Sequence, residues 1–363
     1  MKLRKGSASS CTAASQFAPT GPRNKPSIHR PARQISETWP AASILPGMDE
    51  LISLHTDHVF LRREALEHGY DDRDLRTALR DGVLDKVRHG AYVPRSVWKA
   101  ADDLERHRLR GHAVLRSHDS KLALSHTSAA IEHGLRLYEP DLSQVHVMAI
   151  GKPLARSTPG IVYHETPAKG TELEERADDV LVVDPTRAAL QAATLTNVAS
   201  GLVVLDSLVD LKKVTVEDLQ AAFTTFHGPG SRKLQITVRL VRAGSQSVGE
   251  TLGRHLFWGQ HLPEPVLQFE VHDEHGNLVG RTDYAWPDLG TFGEFDGAVK
   301  YERYLGPGET VHDAVLREKR REDLLREITG WLMIRLVWAD LFKPAATAER
   351  IRKQLYRQPS RRR

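Results

Sequence analysis

Cysteine is almost absent from this chain of 363 residues, since Cys11 is its only one. A single cysteine excludes a disulfide framework and a zinc site built on cysteines, which suits a reducing, cytoplasmic environment. The 18 histidines are scattered and show no paired ligand spacing such as H-E-x-x-H. No run of about eighteen apolar residues occurs, so the sequence predicts no membrane span. With 40% hydrophobic and 27% charged residues, we expect a soluble globular protein.

Positive charge is concentrated at the two ends of the chain. Residues 1–47 hold seven lysines or arginines against Glu37 alone, and residues 350–363 hold seven with no acidic residue. Because the whole chain carries a net charge of +4, residues 48–349 carry −9. Basic ends favour contact with a polyanion such as DNA, whereas the acidic body does not. The alternative is that the basic ends only keep the chain in solution.

Residues 1–47 are rich in Ser, Ala, Pro and Arg and lack hydrophobic periodicity, so we expect a disordered extension. Their basic start has no apolar core behind it, which argues against a secretory signal. Met48 directly precedes the first periodic segment. One hypothesis is that translation starts at Met48 and that the first 47 residues are an upstream extension of the reading frame.

Residues 48–98 follow the pattern of a winged helix-turn-helix. The predicted elements are three helices and a hairpin, at residues 49–55, 61–68, 72–80 and 83–93. Asp71 or Asp72 caps the third helix. The basic residues expected to contact DNA lie on the third helix and the hairpin, at Arg73, Arg76, Arg80, Lys86 and Arg88. The alternative is a solvated helix face in a small protein-interaction domain.

Residues 99–243 are predicted to form an α/β domain. Short β-rich runs alternate with helical segments there, at residues 144–150, 161–164 and 180–183. Ser125 and His126 stand at the start of a predicted helix over residues 124–134, and a Ser-His pair allows the histidine to act as a catalytic base. Since no third partner is visible in the sequence, we favour a capping or packing role for His126.

Three carboxylates lie in residues 280–300, GRTDYAWPDLGTFGEFDGAVK, at Asp283, Glu294 and Asp296. The run around Asp283 alternates like a half-buried strand, and a second run follows after a Pro-Asp-Leu-Gly turn. Antiparallel pairing of the two runs would place Asp283 beside Glu294. Close carboxylates repel and need a divalent cation or a shared proton in a semi-buried site. Two or three carboxylates that hold a hard metal are what phosphodiester hydrolysis uses.

The segments around these strands predict the order helix, three antiparallel strands, helix, strand over residues 244–343. The first helix begins at Ser247-Val248-Gly249-Glu250, which has the spacing of a capping box. Glu250 is therefore either a capping residue or a member of the acidic site. The second helix, near residues 313–328, carries basic residues that either face phosphate or pair with acidic neighbours, namely Arg317, Lys319, Arg320 and Arg321. Residues 344–363 are predicted to form a basic tail.

This αβββαβ order, with a glutamate on the first helix, an aspartate on the second strand and E-x-D-G on the third, resembles the PD-(D/E)XK nuclease superfamily. The segments GRTDYAWP, GEFDGAVKY and EKRREDLLREITGWLMIRLVWADL resemble motifs of its Vsr-like branch, a domain of unknown function common in actinobacteria. The resemblance implies a restriction-endonuclease-like core at residues 244–343. It also implies hydrolysis of DNA that depends on Mg²⁺ or Mn²⁺.

Carried onto this sequence, the resemblance implies that Asp283 and Glu294 ligate the metal, with Glu250 oriented toward the metal or its water. The superfamily's catalytic lysine is expected two residues after Glu294, where Asp296 stands instead. Asp296 would then serve as an additional ligand. Lys300 would supply the electrostatic role of the missing lysine.

The segments HVFLRREALEHGY, VRHGAYVP and LSHTSAA resemble the AbiEi-type antitoxin fold, in which a winged domain precedes an α/β domain. The whole chain is thus expected to be α+β. Two functions stay open. The first is a DNA-binding, metal-dependent endonuclease that acts in defence against foreign DNA or in repair. The second is an AbiEi-type antitoxin or transcriptional repressor with an inactive nuclease-like domain and a cognate toxin as partner.

Overall fold

The computed structural model of the protein describes residues 48–118, 122–150, 158–165, 172–227, 230–297 and 310–357. Within these residues the chain is a mixed α+β protein with three β-sheets, as the sequence predicts in outline. The predicted extension at residues 1–47, Lys300 and residues 358–363 lie outside the described residues. None of the described helices is long and apolar enough to cross a membrane.

The N-terminal unit consists of three short helices and a three-stranded sheet with strand order β1-β3-β2. Its elements are α1 (Met48–Ile52), β1 (Phe60–Leu61), α2 (Arg62–Glu67), α3 (Asp72–Arg80), β2 (Leu84–Arg88) and β3 (Ala91–Pro94). Helix α3 begins where predicted, because the Asp71 carboxylate accepts hydrogen bonds from the backbone N–H groups of Arg73 and Asp74. Leu75 on its inner face is buried. The outer face is left for solvent.

The middle unit is built on a five-stranded mixed sheet with strand order β6-β5-β4-β8-β7. Its strands are β4 (Leu122–Leu124), β5 (Val145–Ala149), β6 (Ile161–His164), β7 (Leu173–Arg176) and β8 (Val180–Val183). Its helices, with the two that lead into it, are α4 (Arg95–Ala100), α5 (Asp103–Arg116), α6 (His126–Glu132), α7 (Pro185–Thr194), α8 (Val198–Asp210), α9 (Val216–Thr224) and α10 (Ser231–Leu240). The three predicted β-rich runs form β5, β6 and β8, whereas the sequence did not predict β4, β7 or α10.

The C-terminal unit contains a four-stranded sheet with strand order β12-β11-β10-β9. Its strands are β9 (Val266–His272), β10 (Leu278–Trp286), β11 (Thr291–Asp296) and β12 (Leu332–Val337). Its helices are α11 (Val248–Gly259), α12 (Val311–Thr329), α13 (Trp338–Leu341) and α14 (Pro344–Leu355). Strands β9, β10 and β11 are antiparallel, and β12 runs parallel to β11. The elements from α11 to β12 therefore follow the predicted order.

The end of β10 is more buried than the predicted half-buried strand. Tyr284 and Trp286 pack with Phe257 of α11 on one side of the sheet. Ala285 packs with Leu325 of α12 on the other side. Helices thus cover both faces of the sheet at this point, and side chains of both faces are apolar for that reason.

Part of the predicted basic tail is a core helix. Residues 344–355 form α14, in which Ala348, Ile351 and Leu355 are buried against the sheet. These three positions recur at the spacing of one helical face. The arginines and lysine between them lie on the outer face, which makes the stretch basic in composition although it belongs to the folded unit.

A buried ion pair joins the middle unit to the C-terminal unit. Arg254 of α11 donates a hydrogen bond from Nη2 to Oδ2 of Asp206 of α8 at 2.8 Å. The hydroxyl of Thr251 donates to the same oxygen at 3.0 Å. Asp206 has no exposed surface, so this pair holds α11 in a defined position on the middle unit.

Candidate functional site

Strand pairing places Asp283 and Glu294 at adjacent positions of two neighbouring strands. Tyr284 of β10 lies opposite Gly293 of β11, so Asp283 and Glu294 are the next residues along each strand. Both side chains belong to the face of the sheet that α12 covers, because successive residues of a strand alternate between faces. The two carboxylates that the sequence predicts to be neighbours are thus brought together beneath α12.

The Asp283 carboxylate is held by the backbone of the neighbouring strand. Its Oδ2 accepts a hydrogen bond from the N–H group of Phe295 at 2.8 Å. Aspartate is disfavoured in strands because it does not pack well on a pleated surface. Here the side chain takes over a hydrogen bond of the type that a backbone carbonyl normally accepts, which explains how β10 accommodates it.

Glu294 belongs to a group of paired acidic and basic side chains on the sheet and α12. It is only 6% exposed, and its Oε1 accepts a hydrogen bond from Nη2 of Arg321 of α12 at 2.5 Å. Arg321 also donates to the backbone carbonyl of Arg281 at 2.8 Å. The predicted basic stretch on α12 therefore supplies a partner for the sheet carboxylate, and Arg321 is not limited to pairing along its own helix.

Asp296 belongs to a second set of ion pairs in this group, centred on Arg335. Its carboxylate contacts Nη1 of Arg335 of β12 at 3.1 Å, and Arg335 also pairs with Glu322 of α12. Burial disfavours the charged guanidinium, but the hydrogen bond to Glu322 outweighs it and raises the pKa of Arg335. Arg335 therefore stays positive next to Asp296, at the place where the resemblance leads one to expect a lysine.

Glu250 has the contacts of a helix-capping residue. Its carboxylate accepts hydrogen bonds from the N–H group of Gln246 and the hydroxyl of Ser247, both at 2.8 Å. Gln268 of β9 donates to the same carboxylate at 3.1 Å. The side chain is 4% exposed. It thus closes the start of α11 and ties that helix to β9, which favours the capping interpretation of Glu250.

Two glycines allow α11 to approach the sheet closely. A Cβ atom at Gly249 would lie 2.1 Å from Cε1 of Phe295. One at Gly253 would lie 2.5 Å from the hydroxyl oxygen of Tyr284, which donates to the backbone carbonyl of Glu250 at 2.7 Å. The position of Glu250 relative to β10 and β11 therefore depends on these two residues.

The donors at this site suit a hard cation, but they are engaged with protein partners. Carboxylate oxygens are the ligands that Mg²⁺ prefers, and Asp283 and Glu294 are side by side. No group of three or more His, Cys, Asp or Glu side chains in the part of the chain that the structure describes is arranged to hold a metal ion. Binding a cation through Glu294 would require Arg321 to release it. The fifth predicted site residue, Lys300, lies outside the described residues.

Most of the predicted DNA-binding residues lie on an open surface. Arg73, Arg76 and Arg80 are exposed on the outer face of α3, and Lys86 is exposed on β2. Arg88 differs, because it is half-buried near Tyr163 of the middle unit, and burial lowers its pKa. The first four side chains are therefore accessible to solvent, whereas Arg88 faces the middle unit.

His126 lies in a cluster of histidines that no pattern in the sequence predicts. The rings of His126 and His164 stack with centroids 3.5 Å apart, and Nδ1 of His146 lies 2.9 Å from Nε2 of His164. Burial lowers the pKa of His146 and of His164 to about 4, so both rings are neutral at pH 7. His126 has a positive φ of 49°. Both partners lie on strands predicted from sequence, but the register that joins them was not predictable.

Comparisons with known proteins leave the function open. No family model matches the chain. Two uncharacterized proteins of Mycobacterium tuberculosis, MT2308 and Rv2248, are each 26% identical over 237 residues, which cover 64% of this chain and 82% of theirs. A crystal structure of the RV2827C protein from the same organism aligns with 50% of this chain and 71% of that protein, at 17% identity and a TM-score of 0.33. None of these names states a function, so a functional proposal has to start from the site.

Proposed function

We propose that the protein is a DNA-binding, metal-dependent endonuclease whose C-terminal unit hydrolyses phosphodiester bonds. The observation that carries the proposal is the adjacent position of Asp283 and Glu294 on antiparallel strands. The sheet around them has an αβββαβ order in which the last strand runs parallel to the third. A pair of carboxylates in this setting is suited to hold one hard divalent cation.

Asp283 and Glu294 would hold Mg²⁺ or Mn²⁺, which, when bound, lowers the pKa of a coordinated water and stabilises charge on the phosphate. Arg321 of α12 would then be released from Glu294 and become available to bind the negatively charged phosphate. Arg335 would provide fixed positive charge near Asp296, in the electrostatic role that a lysine would fill. Glu250 would keep α11 in place and would not need to ligate the cation.

The N-terminal unit would hold the duplex as a winged helix-turn-helix. The order α1-β1-α2-α3-β2-β3 supports this proposal, because such units place their third helix in the major groove. Arg73, Arg76 and Arg80 would contact the DNA from α3, and Lys86 would contact the backbone from the hairpin. Arg88 is left out of this surface by its burial.

The test is cleavage of supercoiled and linear DNA by the purified protein with Mg²⁺ or Mn²⁺. Asp283→Asn and Glu294→Gln keep the side-chain shape and remove the charge, so each should reduce cleavage at least about a hundredfold. Asp288→Asn is the matched control, since Asp288 is an exposed carboxylate on the turn between β10 and β11. Full activity in both site variants, or no metal-dependent cutting by the wild type, would overturn the proposal.

A second candidate is a DNA-binding regulator of the antitoxin type. The Glu294–Arg321 ion pair favours it, because an arginine already neutralises the carboxylate that a cation would need. In that case the wild type would leave DNA intact but would bind a fragment of its own promoter, which a gel mobility-shift assay would detect. Arg73→Ala and Arg76→Ala should weaken this binding and lower its salt dependence. Arg232→Ala, an exposed arginine on α10, should leave it unchanged.

A further inference from the structure

A cavity of about 680 Å³ lies between the middle unit and the C-terminal unit. Helices α8 and α10 form one wall, while α11, residues 261–265 and Tyr356, which follows α14, form the other. This volume is within the range of small-ligand sites, and such sites occur often where two domains meet. The cavity lies at the C-terminal end of α11, so it does not include the carboxylates of the proposed nuclease site.

Aromatic side chains border this cavity and leave much of their surface in solvent. Trp258 is 49% exposed and Tyr356 is 59% exposed, although both are large hydrophobic residues. The imidazole of His255 lies beside Trp258, with ring centroids 5.8 Å apart. Burial and the neighbouring Arg254 lower the pKa of His255, so its ring is neutral at pH 7. The rim is therefore a set of flat, uncharged ring faces.

The charges at the cavity are positive on balance. Arg254 is committed to Asp206 inside the protein, and Arg242 pairs with Glu264 at 2.9 Å at the cavity wall. Arg239 is exposed, and among the described residues it makes no ion pair or side-chain hydrogen bond. An anionic group that enters the cavity would find Arg239 available without breaking an internal pair.

His261 keeps a side chain at a position that favours glycine. Its φ is +54°, in the region where residues that follow a helix are most often glycine. The N–H groups of His261 and Leu262 donate to the carbonyls of Trp258 and Phe257, which closes the end of α11. These hydrogen bonds require the positive φ of His261, but they do not involve its imidazole ring. Because His261 also lines the cavity, its ring is available to a ligand that binds there.

We propose that this cavity binds one nucleotide unit of unpaired nucleic acid, with the base against Trp258 and the phosphate near Arg239. Stacking on an aromatic ring is independent of base identity, because every base has a flat π-face. A nearby cation neutralises the phosphate of the same nucleotide. A peptide would need backbone partners along an extended groove, whereas the aromatic rings and the arginine at this partly open cavity suit a base and a phosphate. The proposal does not depend on metal binding or on cleavage.

The test uses the full-length protein and measures the anisotropy of an end-labelled, single-stranded oligonucleotide of about twelve residues. Trp258→Ala and Arg239→Ala should each weaken binding about tenfold. Phe342→Ala and Arg232→Ala are matched controls, because Phe342 is 68% exposed outside the cavity and Arg232 is exposed on α10. Binding of a duplex, which the N-terminal unit would carry, should be equal in all five proteins.

His261→Gly separates a ligand contact from a structural role. Glycine removes the strain at positive φ, so the melting temperature should stay the same or rise. Oligonucleotide binding should nevertheless weaken, because the ring contact is lost. If His261→Gly binds the oligonucleotide as wild type does, this part of the assignment is wrong.

Binding of free dAMP distinguishes a site for a single nucleotide from a site that needs a nucleic-acid strand. Calorimetric binding of dAMP that disappears in Trp258→Ala would show that the cavity accepts a single nucleotide. Binding of the oligonucleotide alone, again lost in Trp258→Ala, would show that it needs a strand. If Trp258→Ala and Arg239→Ala bind both ligands as wild type does, the cavity is not a nucleotide site.

Discussion

Arg321 of α12 and Glu294 of β11 form an ion pair in which Nη2 and Oε1 are 2.5 Å apart. A metal-dependent nuclease would need the same carboxylate for its cation. The side chain of Glu294 is 8% exposed and that of Arg321 is 28% exposed, so Arg321 is the partner with room to move. A cation and Arg321 would therefore compete for Glu294.

Replacing Arg321 by glutamine should reveal this competition. Arg321→Gln removes one partner of a buried carboxylate, so the free energy of unfolding without metal should fall by about 1–3 kcal/mol. Added Mg²⁺ should then raise the melting temperature of the variant more than that of the wild type, since ligand binding to the folded state stabilises it. Thermal unfolding with and without Mg²⁺ measures both effects.

Arg326→Gln is the control for this experiment, because Arg326 lies on the same helix and pairs with Glu322. Its response to Mg²⁺ should equal that of the wild type. The double variant Arg321→Gln/Glu294→Gln should lose the enhanced response. An equal Mg²⁺ effect in Arg321→Gln and in wild type would show that Arg321 does not compete with a cation.

The close approach of α11 to β11 gives a second prediction. Gly249→Ala would place a methyl group on the ring of Phe295, and we expect a loss of about 1–3 kcal/mol of stability from this overpacking. Gly259→Ala at the other end of α11 has no atom within 4 Å of the added Cβ and should be neutral or slightly stabilising. Urea unfolding of the two variants compares them. Similar midpoints for both would show that the sheet yields to the added methyl.

Local signals explain which elements the sequence predicts. Asp71 caps α3, and the predicted bounds of that helix agree with the structure. Strand β9 spans Val266–His272 and is the first of the three antiparallel strands that the sequence predicts. Helix α14 was missed because its buried residues are separated by arginines, lysine and glutamate, so composition concealed the periodicity. Strand β4 has only three residues, too few to show a pattern.

Local patterns also determine how much of the candidate site could be predicted. Alternation along two strands joined by a tight turn is local, so it was enough to predict that Asp283 and Glu294 are neighbours. The choice of Arg321 as partner of Glu294 depends on how α12 lies across the sheet, which no local pattern encodes. His126, His146 and His164 are likewise joined only by tertiary packing. The sequence therefore predicts pairs within one hairpin better than contacts between separate elements.

A buried histidine lies between a carboxylate of the N-terminal unit and one of the middle unit. Its ionisation should make the stability of the protein depend on pH. His112 contacts Asp57 through Nδ1 at 2.6 Å and Glu132 through Nε2 at 2.8 Å. Burial disfavours the imidazolium, but the hydrogen bonds to the two carboxylates outweigh it and raise the pKa of His112. The stabilisation is fully present below the ordinary histidine pKa and is lost as pH rises through the raised value.

His112→Gln should therefore be most damaging in mild acid. We expect a loss of about 2 kcal/mol near pH 6, because Arg116 still pairs with Asp57 in the variant. The difference between wild type and variant should shrink as pH rises above the raised pKa. Denaturant unfolding over a series of pH values measures this difference. A constant difference at all pH values would mean that His112 is not charged in the folded protein.

The histidine cluster of the middle unit should change stability in the opposite direction, with stability lost as pH falls. Burial lowers the pKa of His164 to about 4, and the neighbouring His146 adds to the shift. Between the ordinary histidine pKa and this value, the unfolded chain binds a proton that the folded chain does not. Stability should therefore fall as pH drops through this window. Allowing for the partial exposure of His164, we expect its share to be about 1–2 kcal/mol.

His164→Gln should remove this share, so the variant should lose less stability than wild type when the pH is lowered from about 6.5 to 4. His272→Gln is the control, since the His272 side chain is 45% exposed on β9. His112 does not interfere, because its raised pKa leaves it protonated in both the folded and the unfolded chain through most of this window. Equal acid sensitivity of His164→Gln and wild type would mean that the cluster accepts a proton without cost. In that case the stacked rings at His126 would be open enough for water to solvate the charge.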